Sequence, residues 1–400
     1  MVKPSTVAKA AAPVSGLAPA ELAERARADG RMALDTEFVS EGRYRPLLCL
    51  VQVAVSTPGS GQPAAIEVLD PLDGGFDHGP LAEVVEDPKV EVVFHAGSQD
   101  VAILRRQWGV QPRNLFDTQI AAGFAGFSAQ TGYGNLLARV CGKRLSKSAG
   151  FTRWDRRPLT QEQLEYAAAD VEDLLALSDE LQSRLAKSGR LEWAREECRR
   201  LEDITDERDP DEAWRRLPRV GQMRPRQRAV ARELAAWRER TAAEENRPLG
   251  GILADVALVE VARRQPETVR ELQAIRGVRP DLGRRRGDAV LDVVRRGREA
   301  EPPPVEELTR VEPDAGDAPR ISLCEALVRH RVSSAGLAYE LVASRADLTE
   351  IVMSFRAGRD EPDVRTLRGW RRDLVGAELL ELLAGRVSLR VDGDGGIAVS

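Results

Sequence analysis

Apolar residues recurring with a period of two are confined almost entirely to the first quarter of this chain, and that confinement limits the fold more than any other feature. The runs are Arg31 to Phe38, Leu47 to Val55, Ala64 to Leu69 and Glu91 to His95, each of strand length. They suffice for one small sheet. Three successive strands imply antiparallel or mixed pairing, and helical stretches at Pro19 to Ala28, around Leu81 to Glu86 and at Gln99 to Trp108 restore β/α alternation. From Asp117 onward the pattern is helical. A single core seldom grows past about 250–300 residues, so a chain of 400 residues predicts two or three domains.

The helical part carries its own punctuation. Thr160-Gln161-Glu162-Gln163 has the form of a capping box, predicted to open one long helix with Leu164, Ala167, Ala168, Val171, Leu174 and Leu175 in a single stripe. A second unit is expected from about Asp211 to Arg296, with periodic stretches at Gln227 to Arg240, Asp255 to Arg264, Val269 to Ile275 and Ala289 to Val294. Glu299 to Pro319, with Pro302-Pro303-Pro304, Pro313 and many acids, has the composition of a linker that builds no core. Ile321 to Leu383 predicts a third helical unit, and Val387 to Val399 a hairpin around Asp392-Gly393-Asp394-Gly395-Gly396. That turn lacks the spacing and the twelfth-position glutamate of a calcium loop. Met1 to Pro19, Ala-rich with three prolines, reads as a flexible tail without the apolar run of a signal peptide.

Composition narrows the class. Only 4% of the residues are aromatic while 42% are hydrophobic, so aliphatic helix packing should dominate. The net charge of −5 gives no global nucleic-acid signature, but residues 211–300 hold 21 Arg, no Lys and 14 acids, a balance of +7 against −12 elsewhere. Such a basic module can hold a phosphate backbone. A merely solvated face is an equal reading of Arg284, Arg285, Arg286, Arg295, Arg296 and Arg298, because the whole chain favours Arg over Lys by 53 to 6. Trp214 and Trp237, at helical positions, read as core rather than as base-stacking platforms. The four cysteines form no CxxC element and there are three histidines, which leaves no zinc site or disulfide framework to propose. No apolar run approaches the roughly 18 residues of a membrane helix, so a soluble cytoplasmic protein is expected.

The chemistry-bearing residues lie in the first half. Alternation in Met32-Ala33-Leu34-Asp35-Thr36-Glu37-Phe38 puts Asp35 and Glu37 on one strand face. Two neighbouring anions repel, a shared cation relieves the repulsion, and hard oxygen donors suit magnesium or manganese. Asp100 follows a strand in Phe94-His95-Ala96-Gly97-Ser98-Gln99-Asp100; alone, it reads as an acid favouring a helix N-terminus. Tyr166 and Asp170, four apart in Tyr166-Ala167-Ala168-Ala169-Asp170, stack on one helix face and alone read as an exposed hydrogen-bonded pair. Asp117 reads as a helix cap and Asp155 as a turn residue. His95 reads equally as a substrate-orienting group and as a strand histidine packed on the core. Together, an acid pair on a strand, a third acid after a later strand and a Tyr/Asp pair on a following helix can converge on two cations, an arrangement suited to phosphodiester cleavage.

This set resembles the DEDD exonuclease superfamily in its tyrosine-containing branch, and within that branch the ribonuclease D family. Three motifs carry the resemblance: Leu34-Asp35-Thr36-Glu37-Phe38, Phe94-His95-Ala96 leading to Asp100, and Tyr166-Ala167-Ala168-Ala169-Asp170. Leu115-Phe116-Asp117-Thr118-Gln119, Lys147-Ser148 and Trp154-Asp155-Arg156-Arg157-Pro158-Leu159-Thr160 are similar flanking text. Trp214-Arg215-Arg216-Leu217 through Ile275-Arg276-Gly277-Val278 is similar to the helical HRDC module of ribonuclease D and RecQ-type helicases.

The resemblance implies an α/β ribonuclease H-like exonuclease domain, a mixed sheet with flanking helices, followed by two all-α helical domains. The expected division is a tail at 1–18, the nuclease at 19–205, the HRDC domain at 208–297, a linker at 298–319 and a second HRDC-like domain at 320–400. It implies a metal-dependent 3′-5′ exoribonuclease that releases nucleoside 5′-monophosphates. By the same resemblance Asp35, Glu37 and Asp170 hold one metal ion, Asp35 and Asp100 hold a second partly through water, and Tyr166 orients the attacking water. The expected partner is RNA, at structured 3′ ends and in particular those of tRNA precursors. No membrane, no small-molecule cofactor and a monomeric state are expected.

Overall fold

The alternating runs become β1 (Arg31–Val39), β2 (Leu47–Val55), β3 (Ala65–Leu69) and β4 (Glu91–Phe94), joined by a short β5 (Leu115–Asp117). They form one sheet in the order β3-β2-β1-β4-β5, with β1 antiparallel to β2, β2 antiparallel to β3, and β1, β4 and β5 parallel. This is the mixed sheet expected. β5 was not foreseen as a strand, since three residues are too few for a period to register. The computed structural model describes residues 16–56, 65–145, 153–303, 314–393 and 395–400. Most of the expected tail, Ala64, Lys147-Ser148, Pro304 and Pro313 of the linker, and Asp394 lie outside the described residues.

Odd and even residues of β1 enter different cores. Met32 and Leu34 pack with Leu22, Leu81, Val101 and Leu104, contributed by α1 (Pro19–Asp29), α2 (Gly79–Glu86) and α3 (Ser98–Trp108). Ala33 faces the other way, toward a core that includes Phe124, Leu137, Val171 and Leu177. These come from α4 (Thr118–Phe124), α5 (Tyr133–Val140), α6 (Gln161–Glu172) and α7 (Leu174–Lys187), with α8 (Leu191–Cys198) beside them. The capping box forms, Gln163 N–H donating to Thr160 Oγ1 at 3.2 Å and Thr160 N–H to Gln163 Oε1 at 2.9 Å. The single long helix expected behind it is two, however, broken at Asp173 (φ −109°, ψ 7°). Aspartate competes with the helix through its short polar side chain, and here that side chain pairs with Lys143. Leu174 and Leu175 still reach the core, from α7.

Two helical regions follow. α9 (Pro225–Glu245), α10 (Leu249–Ile252), α11 (Asp255–Arg264), α12 (Val269–Gln273) and α13 (Pro280–Glu299) enclose a core of their own, with Trp214, Leu234, Leu258, Val290 and Val294 inside. Pro225 and Pro280 each take the first helical position, where a missing N–H removes no helix bond. Trp237 is partly buried against this core. The last region comprises α14 (Asp317–Ala335), α15 (Tyr339–Val342), α16 (Arg345–Arg356) and α17 (Gly369–Arg371), which passes through a π-turn at Arg372–Gly376 into α18 (Ala377–Leu383). It ends in the hairpin of β6 (Leu389–Val391) and β7 (Ile397–Val399). Its core is continuous with the one that α4 to α8 form beneath β1: Ile321, Leu341, Trp370 and Leu379 pack with Phe124 and Leu177. A Cβ on Gly123 would lie 2.7 Å from Leu341 Cδ1, so α4 and α15 meet closely at this glycine. No helix among the described residues is long and apolar enough to cross a membrane.

Candidate active site

The site assembles at the carboxyl end of β1. Asp35 and Glu37 leave β1 on the face toward α6, opposite Gln52 and Leu50 of β2, just before the register slips between Glu37 and Phe38. A slip of this kind bends a strand and re-aims its side chains. α6 lies close over the same face because Ala167 and Ala168, both buried, present only methyl groups to the sheet. Tyr166 and Asp170 flank those alanines one turn apart, so the Tyr-Ala-Ala-Ala-Asp spacing delivers two polar groups beside the two strand carboxylates. Asp35, Glu37 and Asp170 each offer an oxygen, and these atoms lie within 4.8 Å of one another.

Asp100 arrives from the opposite face. It stands in the first turn of α3, is 7% exposed, and accepts a hydrogen bond from the Thr36 hydroxyl, whose side chain points away from Asp35 and Glu37 on the alternating strand. It is not one of the 4.8 Å trio, yet its charge acts on Asp35 and on Glu37. The turn that carries it is built by Asp117, whose carboxylate accepts from Ala96 N–H at 3.2 Å and Gly97 N–H at 2.8 Å. The same carboxylate caps α4 through Gln119 N–H at 2.7 Å and Ile120 N–H at 3.2 Å. A Cβ on Gly97 would come 2.5 Å from Phe94 Cβ, so this turn needs glycine. Asp117 is therefore the cap that was expected, and a brace for Asp100 besides. Asp155 sits in the Trp154–Arg157 turn, forked by Arg153 at 3.0 Å.

Crowded carboxylates in a half-buried cleft resist ionisation. Burial, reinforced by Asp100, Asp170 and Glu37, holds Asp35 well above the usual carboxylate range. Burial, with Asp170 and Asp100, pushes Glu37 up to about 8. Burial likewise pushes Asp170 up to about 7, against the hydrogen bond from Tyr166, and Asp100 up to about 6, against the bond from Thr36. Tyr166 is raised by burial and by the nearby carboxylates, so it keeps its proton; it is 37% exposed and its ring tilts toward Trp154, centroids 6.0 Å apart. A hard divalent cation would remove the charge excess that causes these shifts, and an all-oxygen donor set suits one.

Two further residues belong to the surroundings. Tyr133, at the start of α5, has a buried hydroxyl raised by burial and by Asp173, Asp170 and Asp35. Its ring tilts on His95, centroids 5.5 Å apart, and His95 Nδ1 lies 2.9 Å from Thr118 Oγ1. Burial lowers the His95 pKa and favours a neutral ring, packed in the wall of the cleft. Nothing in the spacing of Thr131-Gly132-Tyr133 links it to the acids, because no regular period connects α5 to β1.

A family model described as 3′-5′ exonuclease matches residues 17–186, and one described as HRDC domain matches residues 227–294. The chain is 36% identical to Ribonuclease D of Acidiphilium cryptum over 94% of its own length and 93% of that protein. It is 38% identical to Ribonuclease D of Gluconacetobacter diazotrophicus, covering 92% of each. Among solved structures, Escherichia coli RNase D, described as an exoribonuclease involved in structured RNA processing, superposes with a TM-score of 0.79 at 31% identity, over 92% of this chain and 96% of that one. The catalytic core of RRP6 from Trypanosoma brucei, at 24% identity, TM-score 0.53, and 69% and 76% coverage, shares the fold.

Proposed function

Because the chain belongs to the ribonuclease D family and is a 3′-5′ exoribonuclease, we propose that Asp35, Glu37, Asp100, Tyr166 and Asp170 form its catalytic set. The observation that carries this is the convergence of Asp35, Glu37 and Asp170 oxygens within 4.8 Å, with Asp100 closing the cluster from the other face of the sheet. Asp35, Glu37 and Asp170 would hold one magnesium or manganese ion, and Asp35 with Asp100 a second. When bound, such cations neutralise charge on the phosphate and help water to ionise near neutral pH.

The protein's own groups do the positioning. Thr36 fixes the Asp100 carboxylate. Tyr166 gives its hydroxyl hydrogen to Asp170, which leaves an oxygen lone pair to align the attacking water. That water gives up a proton to solvent as its oxygen bonds to the terminal phosphorus, the bond to the penultimate 3′ oxygen breaks, the freed oxygen takes up a proton from solvent, and a nucleoside 5′-monophosphate departs. The substrates we favour are structured RNA 3′ ends, those of tRNA precursors above all, held by the basic HRDC region. There Arg247, Arg279, Arg285 and Arg286 line one pocket with Asp281, Arg279 pairing with Asp281 and both Arg247 and Arg286 with Glu245. We divide the chain into a nuclease, an HRDC domain and a second HRDC-like helical region that shares the nuclease core, acting as a monomer in the cytoplasm, in keeping with four free cysteines.

The test is digestion of 5′-labelled and 3′-labelled RNA and DNA oligonucleotides with magnesium, manganese or EDTA. Stepwise shortening from the 3′ end, release of 5′-mononucleotides, abolition by EDTA and by Asp35→Asn, and preference for RNA are expected. Equal cleavage of DNA would remove the RNA preference, and undiminished turnover by Asp35→Asn would remove the proposed site.

A further inference from the structure

We infer that Gln52 is a positioning residue for Asp35, its side-chain amide donating to the Asp35 carboxylate when that carboxylate holds a cation. Gln52 stands in the middle of β2 and is 0% exposed, and neither Oε1 nor Nε2 has a hydrogen-bond partner. Buried amides of this kind are rare, since each unpaired polar atom loses its water without compensation. Packing alone does not call for one. Its neighbours on the same face of β2, Leu50 and Ala54, are apolar and fully buried, and leucine in place of Gln52 would keep the pattern.

The register explains what packing does not. Gln52 is the direct antiparallel partner of Asp35, so both side chains leave the same sheet face with Cβ atoms about 4.5–5.5 Å apart. The far side of β2 supplies no competing polar group, because its partner in β3 at this level is Val68. Above lie the buried methyl groups of Ala167 and Ala168. A carboxylate offers about four lone-pair sites, and ligating carboxylates are commonly oriented by hydrogen-bond donors behind the metal. Gln52 is the polar side chain placed to be that donor for Asp35.

The inference rests on Asp35 being a metal ligand, and the experiment separates the two. Manganese binding to the full chain is measured by calorimetry and by the loss of the free-ion electron paramagnetic resonance signal, for the parent protein, Gln52→Leu, Gln52→Met and Asp35→Asn. The thermal midpoint of each metal-free protein is recorded alongside. Gln52→Leu should weaken manganese binding by about 10- to 100-fold, the usual range for losing such a partner, while the metal-free midpoint stays level or rises because an unpaired amide has gone. Gln52→Met carries the same expectations if the branched side chain does not fold. Should Asp35→Asn leave manganese binding unchanged, the site itself is wrong. Should Asp35→Asn abolish binding while both Gln52 variants stay within about threefold of the parent, or lower the metal-free midpoint sharply, Gln52 is a structural residue and the inference is overturned.

Discussion

The HRDC region and the C-terminal helices are both all-α attachments to one nuclease, yet they are joined to it by opposite means. The HRDC region closes its core on itself and meets the nuclease through polar contacts. Tyr44, in the β1–β2 loop, donates its hydroxyl to Glu239 at 2.5 Å and its N–H to Asn246 Oδ1 at 3.2 Å, with Arg208 4.0 Å from Glu239. The C-terminal helices instead complete the nuclease core. Trp370 stacks on Trp193 at 5.2 Å and meets Phe124 edge-on at 5.0 Å, and the buried Arg371 reaches Glu197 and the Leu341 carbonyl, the latter at 2.6 Å. Apolar continuity makes one cooperative body, whereas a few polar ties leave two that can part.

The largest expected effect sets one tryptophan against another. Trp370→Ala should cost the nuclease about 3–5 kcal/mol, the usual range for a buried tryptophan, and lower its denaturant midpoint. Trp214→Ala should cost the HRDC region a similar amount and leave hydrolysis of short single strands untouched. A nuclease midpoint unmoved by Trp370→Ala, in urea melts followed by activity on a short RNA, would break the distinction.

Tyr166→Phe should slow the chemical step about 10²- to 10⁴-fold, the usual contribution of a positioned proton-handling group, with neither region's stability changed. Single-turnover rates at saturating magnesium measure it. Loss of metal binding in that variant, with the rate recovered at higher metal, would make the tyrosine structural.

Titration should also tell the regions apart. In the metal-free fold Glu37, Asp170 and Asp100 hold their protons up to about 8, 7 and 6, each above its ordinary value of 4.5, 3.8 and 3.8. Folding therefore favours their protonated forms. That stabilisation is fully present below the ordinary carboxylate range and is lost as pH rises through the folded values. The metal-free nuclease midpoint should fall from about pH 4.5 to about pH 8, the HRDC midpoint should not follow it, and magnesium should restore the nuclease most at the alkaline end. Thermal melts at several pH values, with and without EDTA, supply the check.

Tyr44→Phe should have the smallest effect. It removes one hydrogen bond to a buried carboxylate, worth about 1.5–3 kcal/mol, so the rate on short RNA should hold while the Michaelis constant for a long structured RNA rises and its salt dependence flattens. Identical constants and salt slopes for the two proteins would show that the HRDC region acts without this tie.

Much of this was legible in the chain because it depends on short periods. The alternation around Asp35 and Glu37 gave their common face, and the four-residue step from Tyr166 to Asp170 gave theirs. Asp117 was visible as a cap, but its hold on the Ala96-Gly97 turn was not, because that bond joins residues twenty apart through a parallel strand pairing. The same limit hid Gln52 and Tyr133. Asp173 was read through as helix because the apolar stripe continues on either side of it. The continuous core was hidden for another reason: an amphipathic stripe shows that α14 or α18 must bury a face, and not whether it does so against its neighbours or against α4 and α7.

Because the core that α4 and α7 share with α14 to α18 draws on two stretches separated by the whole HRDC region, it cannot close until the second stretch has been made. On the ribosome the HRDC helices have everything they need, whereas α4, α7 and α8 keep part of their apolar surface uncovered until α14 to α18 emerge, seconds to tens of seconds later at about 5–20 residues per second. Nascent chains stalled after Pro303 should be cut readily by protease within α4 to α8 and resist it within α9 to α13; equal resistance in both would show that the nuclease needs no such delay.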